Sequence, residues 1–154
     1  MTSTPDMETV ERVIPAPASE IFALLADPAR HRDIDGSGTV RDATTGSQRL
    51  ALGSKFGMDM KAGFGYSMES TVVEFEQDRR IAWQSRPPSG IMARFIGGRI
   101  WRYELEPVEG GTLVRESWDI SQEHIKAMVR PLRKKTNEAM TKTLARIQEL
   151  VATK

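Results

Sequence analysis

The segment EHIKAMVRPLRKKTNEAMTKTLARIQELV, residues 123–151, decides how the rest of the chain is read. Its apolar residues recur at three- and four-residue steps, so Met128, Leu132, Met140, Leu144, Ile147 and Val151 fall on one helical stripe. Lys134, Lys135, Glu138, Lys142, Arg146 and Glu149 lie off that stripe. The expected element is a long C-terminal helix with one apolar face. Pro131 is the misfit, because a proline inside a helix removes a backbone donor and costs about 3 kcal/mol. Residues 123–130 are therefore expected to form a turn or a kinked first section, with the straight helix beginning near Pro131.

Upstream the period changes from helical to two. Residues 8–14 read as a strand ended by Pro15 and Pro17. A short helix follows at residues 18–26, with Ile21, Phe22, Leu24 and Leu25 as its apolar side. Asp27 caps a second short helix at residues 29–34, with Pro28 suited to its first position. Strands are then expected at residues 39–43, 54–61, 66–76, 80–85, 98–108 and 112–120. In the 66–76 strand the apolar parity moves from Val72 to Val73 and Phe75, the mark of a bulge near Val72. The order is thus one strand, two short helices, about six antiparallel strands and a long helix. A curved sheet wrapped on one helix tends to enclose a cavity, which makes a small apolar molecule the first ligand to consider.

Composition narrows the functional classes. The 154 residues suit a single domain, structured over about residues 8–151. Lys and Arg number 22 against 21 Asp and Glu, so a net charge of +1 supplies no overall field for nucleic acid or an anionic membrane. The chain has no cysteine, which excludes disulfides, thiolate chemistry and cysteine-based zinc sites. The first residues, MTSTPDME, have neither the basic start nor the apolar run of a signal peptide, and no segment approaches a membrane span. A cytoplasmic protein without stable membrane insertion is expected.

Several stretches resemble a known family. The opening VERVIPAPASEIFALLADPARHRDID, the later VVEFEQDRRIAWQS and RYELEPVEGGTLVRESWDIS, and the terminal helix are similar to the polyketide cyclase/dehydrase-like branch of the START-like helix-grip superfamily (SRPBCC). The resemblance covers about residues 8–151. It implies an α+β fold, a sheet of about seven antiparallel strands gripping the C-terminal helix around an apolar cavity. Its members include aromatase/cyclases, lipid and hormone carriers and dehydratases, and it carries over no catalytic motif.

Strand parity selects the candidate lining of that cavity. Met58, Met60, Met68, Trp83, Trp101, Tyr103 and Trp118 share the inward parity, with Met140 and Leu144 facing them from the helix. Methionines adapt to irregular ligands, and aromatic rings give area with polar tips. The plain alternative is that these residues fill a solid core. Glu116, between Val114 and Trp118 on the same parity, is the candidate acid–base residue, since desolvation raises a carboxyl pKa. The competing readings of Glu116 are an ion pair with Arg102 or Arg99, or exposure to solvent. Asp59 and Glu69 fall on the outer parity. Tyr66, Tyr103, Ser70 and Ser117 are further groups able to orient a ligand oxygen.

The remaining features point to surface roles. His31 and His124 have no partner at metal-ligand spacing, so no metal or cofactor is expected and each histidine is placed at the surface. The basic run Arg130 to Lys135 reads as a solvated helix face, with an acidic partner or a phosphate as its alternative. No groove-reading motif accompanies it, which excludes nucleic acid. Residues 87–97, PPSGIMARFIG, carry Ile91, Met92, Phe95 and Ile96 in a long connection, the pattern of a lid or a homodimer contact.

The functional expectation is a carrier or sensor for a polyketide-, lipid- or sterol-like ligand. A cyclase/dehydratase-like enzyme acting by positioning plus a pocket acid is the alternative, and a packed interaction module is the third reading.

Overall fold

The computed structural model describes residues 6–37, 40–43, 49–61, 65–87 and 97–152. The expected lid falls mostly outside these residues, as do the connection at 62–64 and the Tyr66 side chain. The chain runs β1 (Met7–Ile14), α1 (Ala18–Leu25), a 3₁₀ turn (Pro28–Arg30), α2 (His31–Ile34) and β2 (Val40–Ala43). It continues with β3 (Lys55–Lys61), β4 (Gly65–Glu76), β5 (Arg80–Arg86), β6 (Ile100–Val108) and β7 (Gly111–Asp119). The chain closes with α3 (Lys126–Val129), a second 3₁₀ turn (Arg130–Leu132) and α4 (Arg133–Ala152).

The seven strands make one curved antiparallel sheet in the order β1-β7-β6-β5-β4-β3-β2. Six of them have seven residues or more, and β2 is a four-residue edge strand with an irregular pairing to β3. Register decides what the sheet presents to the helix, because residues opposite one another on paired strands share a face. The pairs Met58–Met68, Val72–Trp83, Trp83–Trp101, Trp101–Trp118, Tyr103–Glu116 and Leu105–Val114 place all of these on one inner face. The bulge expected near Val72 is present as a register shift between Val72 and Glu74.

α4 lies against the β1–β7 side of this inner face. Met140, Leu144, Ile147 and Val151 are buried, at successive three- and four-residue steps. Arg12 of β1 donates from Nε to Gln148 Oε1 of α4 at 2.6 Å and fixes the helix along the strand. The stripe stops short of its expected length. Met128 and Leu132 are 53% and 42% exposed, because the backbone turns through α3 and the 3₁₀ turn at Pro131 before α4 begins. Helical phase counted across Pro131 is therefore not conserved.

α1 and α2 occupy the other approach to the inner face. Ile21, Phe22, Leu24 and Leu25 of α1 are buried, and Phe22 meets Phe75 edge-on with ring centroids 5.6 Å apart. Asp27 caps the 3₁₀ turn by accepting from Ala29 N, as its position before Pro28 led one to expect. Behind α2 the chain is pinned to α4, where Gly36 N donates to Thr143 Oγ1 at 2.9 Å. A Cβ at Gly36 would run into the Ala139 carbonyl oxygen and lie 2.6 Å from Lys142 Cβ. Gly36→Ala is accordingly expected to lower stability by about 1–3 kcal/mol in urea unfolding, the usual cost of overpacking. An unchanged unfolding midpoint would show that the 35–37 turn is not docked on α4.

Candidate functional site

The β6–β7 hairpin carries the most unusual polar group of the inner face. Its register sets Glu116 directly opposite Tyr103, and the Tyr103 hydroxyl donates to Glu116 Oε2 at 2.8 Å. Both side chains are buried, at 3% and 4% exposure. The second carboxyl oxygen, Glu116 Oε1, has no hydrogen-bond partner among the described residues. Neither arginine weighed as its partner is there. Arg102 sits opposite Ser117 on the outer face and forks onto Glu74 at 2.9 and 2.7 Å, while Arg99 Nε binds Glu123 at 3.0 Å.

Burial without a cation has a definite electrostatic result. Desolvation pushes the Glu116 carboxyl up to about 8, opposed by the Tyr103 hydrogen bond and helped by the negative field of Asp35. The same burial, together with Glu116, raises the Tyr103 hydroxyl well above its ordinary range. At neutral pH Glu116 is therefore a carboxylic acid. Since Tyr103 donates to Oε2, the acid proton has its natural place on Oε1, the oxygen with no acceptor.

An aromatic ladder continues from this pair. Trp83 lies 5.6 Å from Tyr103, and His31 stacks on Trp83 at 4.7 Å with 19° between the planes. Phe56 packs edge-on to both His31 and Trp83. His31 corrects the expectation of a surface role: it is 7% exposed, and its Nε2–H donates to the Leu25 carbonyl at 2.8 Å. Desolvation lowers its pKa, so the ring is neutral and the Leu25 bond selects its tautomer. His124 is exposed, as expected, and accepts at Nε2 from Arg86 Nη1 at 3.3 Å.

Met58, Trp83, Tyr103 and Leu144 meet in one buried cluster, with Met60 and Trp101 packed at its margin. Trp118 and Met140 belong to an adjoining cluster with Ile120 and Val129, and Val10 and Trp101 touch both. Met68 is half-buried opposite Met58 and stands in neither cluster. The Trp118 Nε1–H likewise has no hydrogen-bond partner among the described residues. Ser70 is occupied by Ser85 at 2.9 Å, and Ser117 points outward to Thr9. Asp59 and Glu69 are exposed. His31 and Asp35 were not legible as site residues, whereas Phe56 shares the alternation of Met58 and Met60. Among the described residues no three His, Asp or Glu side chains are grouped to hold a metal ion. A surface groove of ≈ 560 Å³ lies outside this region, between Glu8 and the Arg130–Lys134 turn, and Glu116 does not line it.

The family described as polyketide cyclase / dehydrase and lipid transport matches residues 8–152. The chain belongs to this family. Two uncharacterized Mycobacterium tuberculosis proteins are similar to this member, Rv0088 at 40% and MT0096 at 39% identity, each over 108 residues. The matches cover 69% of this chain and 44% of the length of those relatives. Among solved structures, protein CV1439 of Chromobacterium violaceum superimposes with TM-score 0.74 at 18% identity, covering 96% of this chain and 98% of that one. The Aha1 dimer of Colwellia psychrerythraea gives 0.65 at 16%, covering 94% and 95%. These structural likenesses establish the helix-grip fold. Among the described residues no helix is long and apolar enough to cross a membrane.

The sign of the Glu116 perturbation gives a direct check. Unfolded, the carboxyl releases its proton near 4.5; folded, it holds it to about 8. The native state thus binds more protons between these values, and stability falls as pH rises, by up to about 1.4 kcal/mol per unit. His31 acts oppositely, costing stability as pH falls below 6.5. Urea midpoints are expected to drop from pH 6.5 to 8.5 and to stay flat in Glu116→Gln. Equal slopes in both proteins would show that Glu116 is ionised throughout.

Proposed function

We propose that the protein holds a small hydrophobic molecule, polyketide-, lipid- or sterol-like, between the inner face of the sheet and α4, working as a cytoplasmic carrier or sensor. The observation that carries this reading is Glu116, a buried carboxylic acid with Tyr103 on one oxygen and, among the described residues, no partner on the other. A buried polar atom left unmade costs about 1–3 kcal/mol, and a ligand oxygen at Oε1 relieves that cost. The rings of Trp83, Tyr103 and Trp101 and the side chains of Met58 and Leu144 supply apolar contact around it. A ketone, ester or hydroxyl oxygen on an otherwise apolar skeleton satisfies both halves of the site. The family's description, which includes lipid transport, supports the same reading.

A second reading rests on the titration of the same group. An acid near 8 is matched to proton transfer at neutral pH. A bound β-hydroxy carbonyl would lose its hydroxyl as water by taking the Glu116 proton. The proton from the α-carbon returns to the Glu116 carboxylate as the carbon–carbon double bond forms, so the residue ends as it began.

Native mass spectrometry after incubation with a hydrophobic extract of the host separates the readings. Retention of one apolar species, recovered at its original mass, is the expected result, with affinity reduced about tenfold in Glu116→Leu and little changed in Glu116→Gln. Recovery of a species lighter by one water, abolished by Glu116→Gln, would establish the dehydratase reading. Retention of nothing would contradict both and leave a packed interaction module.

A further inference from the structure

We propose that residues 125–135 form a docking surface for an anionic lipid bilayer. Six large apolar side chains are exposed among the described residues, and three of them, Ile125, Met128 and Leu132, fall within eight positions. They are 37%, 53% and 42% exposed, whereas Val129 between them is buried at 5%. The segment is thus two-sided: its inward apolar residue holds it to the protein, and an outward apolar row faces water. Ile125 precedes α3, Met128 lies in it and Leu132 ends the 3₁₀ turn after it. One short segment thus presents exposed apolar side chains flanked by cations, the composition of an interfacial anchor.

Charge selects the occupant. Between residues 123 and 138 five cations stand against two carboxylates, in a chain whose total is +1. One of those carboxylates, Glu123, is buried and taken up by Gly97 N, Arg99 N and Arg99 Nε. Lys126 and Arg130 share Asp6 at 3.4 and 3.2 Å, and Arg133 binds Glu8 at 2.6 Å, which leaves a partly neutralised inner rank of cations. Lys134 and Lys135 are exposed on the first turn of α4, beside Leu132. Apolar side chains that enter the acyl boundary and lysines that reach phosphates fit one partner, a bilayer carrying anionic headgroups. A neutral bilayer leaves the lysines unused, and salt weakens their share.

The position of the surface gives it a role. Val129, on the underside of the docking segment, packs in the same cluster as Trp118, Ile120 and Met140 at one end of the inner face. Docking therefore places lipid on one side of a single short helix and the candidate ligand face on the other. The surface stands independently of Glu116, so its test and the ligand test fail separately.

The experiment is sedimentation with phosphatidylcholine vesicles, with and without phosphatidylglycerol, using the full chain. The expected result is partition onto the anionic vesicles that falls with added salt. Lys134→Gln with Lys135→Gln is expected to weaken it about 25-fold, at about fivefold per lysine near the surface. Met128→Ser with Leu132→Ser is expected to abolish binding while leaving the melting temperature unchanged, because both side chains are already exposed. Equal partition onto neutral and anionic vesicles, no partition at low salt, or insensitivity to both double variants would overturn the proposal. So would a dimer in sedimentation velocity that the Met128→Ser, Leu132→Ser variant dissociates, since the second copy would then cover this surface.

Discussion

The structure depends on the burial of one stripe of α4 by the inner face of an antiparallel sheet. Met140, Leu144, Ile147 and Val151 are nearly inaccessible to solvent, covered by the sheet and, for the last three, by a cluster shared with the apolar side chains of α1 and α2. An amphipathic helix of this length draws its stability from that packing and not from helix propensity. The sheet must therefore keep its inner parity apolar along several strands, and it does so in Leu105, Val114, Ile81 and Val72. Within this constraint a charged side chain on the same parity is expensive. On this parity Glu8 and Arg12 of β1 are met by polar groups of α4, whereas the environment of Glu116 resolves the cost by keeping the proton on.

The outer face shows the contrast. Arg102, Glu74 and Asp119 lie on the opposite parity of the same strands and form a paired network, with Glu74 held below its ordinary carboxyl range by Arg102. One cation, Arg102, stands next to Tyr103 in sequence, yet the sheet directs it outward to Glu74. Among the described residues Tyr103 alone hydrogen-bonds Glu116, and its donated bond favours the carboxylate, so it is desolvation that outweighs it and keeps the acid neutral. The inner face thus holds the hydroxyls of Ser70 and Ser85 bonded to each other, and Glu116 as a buried acid beside the aromatic side chains.

Much of this was legible in the residues and some was not, for identifiable reasons. Strand period and turn residues located every strand to within about two positions, and the parity change at Val72 revealed the bulge. The same parity placed Glu116 between Val114 and Trp118 on the inner face. The register that brings it to Tyr103 rests on a two-residue turn at Glu109 and Gly110, with Gly111 already paired to Val108. The helical stripe was legible from Met140 onward and failed at Met128 and Leu132, because Pro131 breaks the phase. His31 was misread because its burial depends on the Leu25 carbonyl and on Trp83, which local periodicity does not connect to it. The basic run Arg130 to Lys135 was legible, but the exposed apolar residues beside it were not, because Met128 and Leu132 were counted on the buried stripe.

The central claim is that Glu116 is a neutral acid at the polar end of the ligand face. Carboxyl carbon-13 NMR of glutamate-labelled protein tests it most directly, with the Glu116 signal assigned by its loss in Glu116→Gln. The account predicts one glutamate that titrates near 8 while the others follow ordinary carboxyl behaviour, and a further rise when an apolar ketone occupies the site. A Glu116 signal that titrates near 4.5 would contradict it, and the buried acid would cease to mark a binding site.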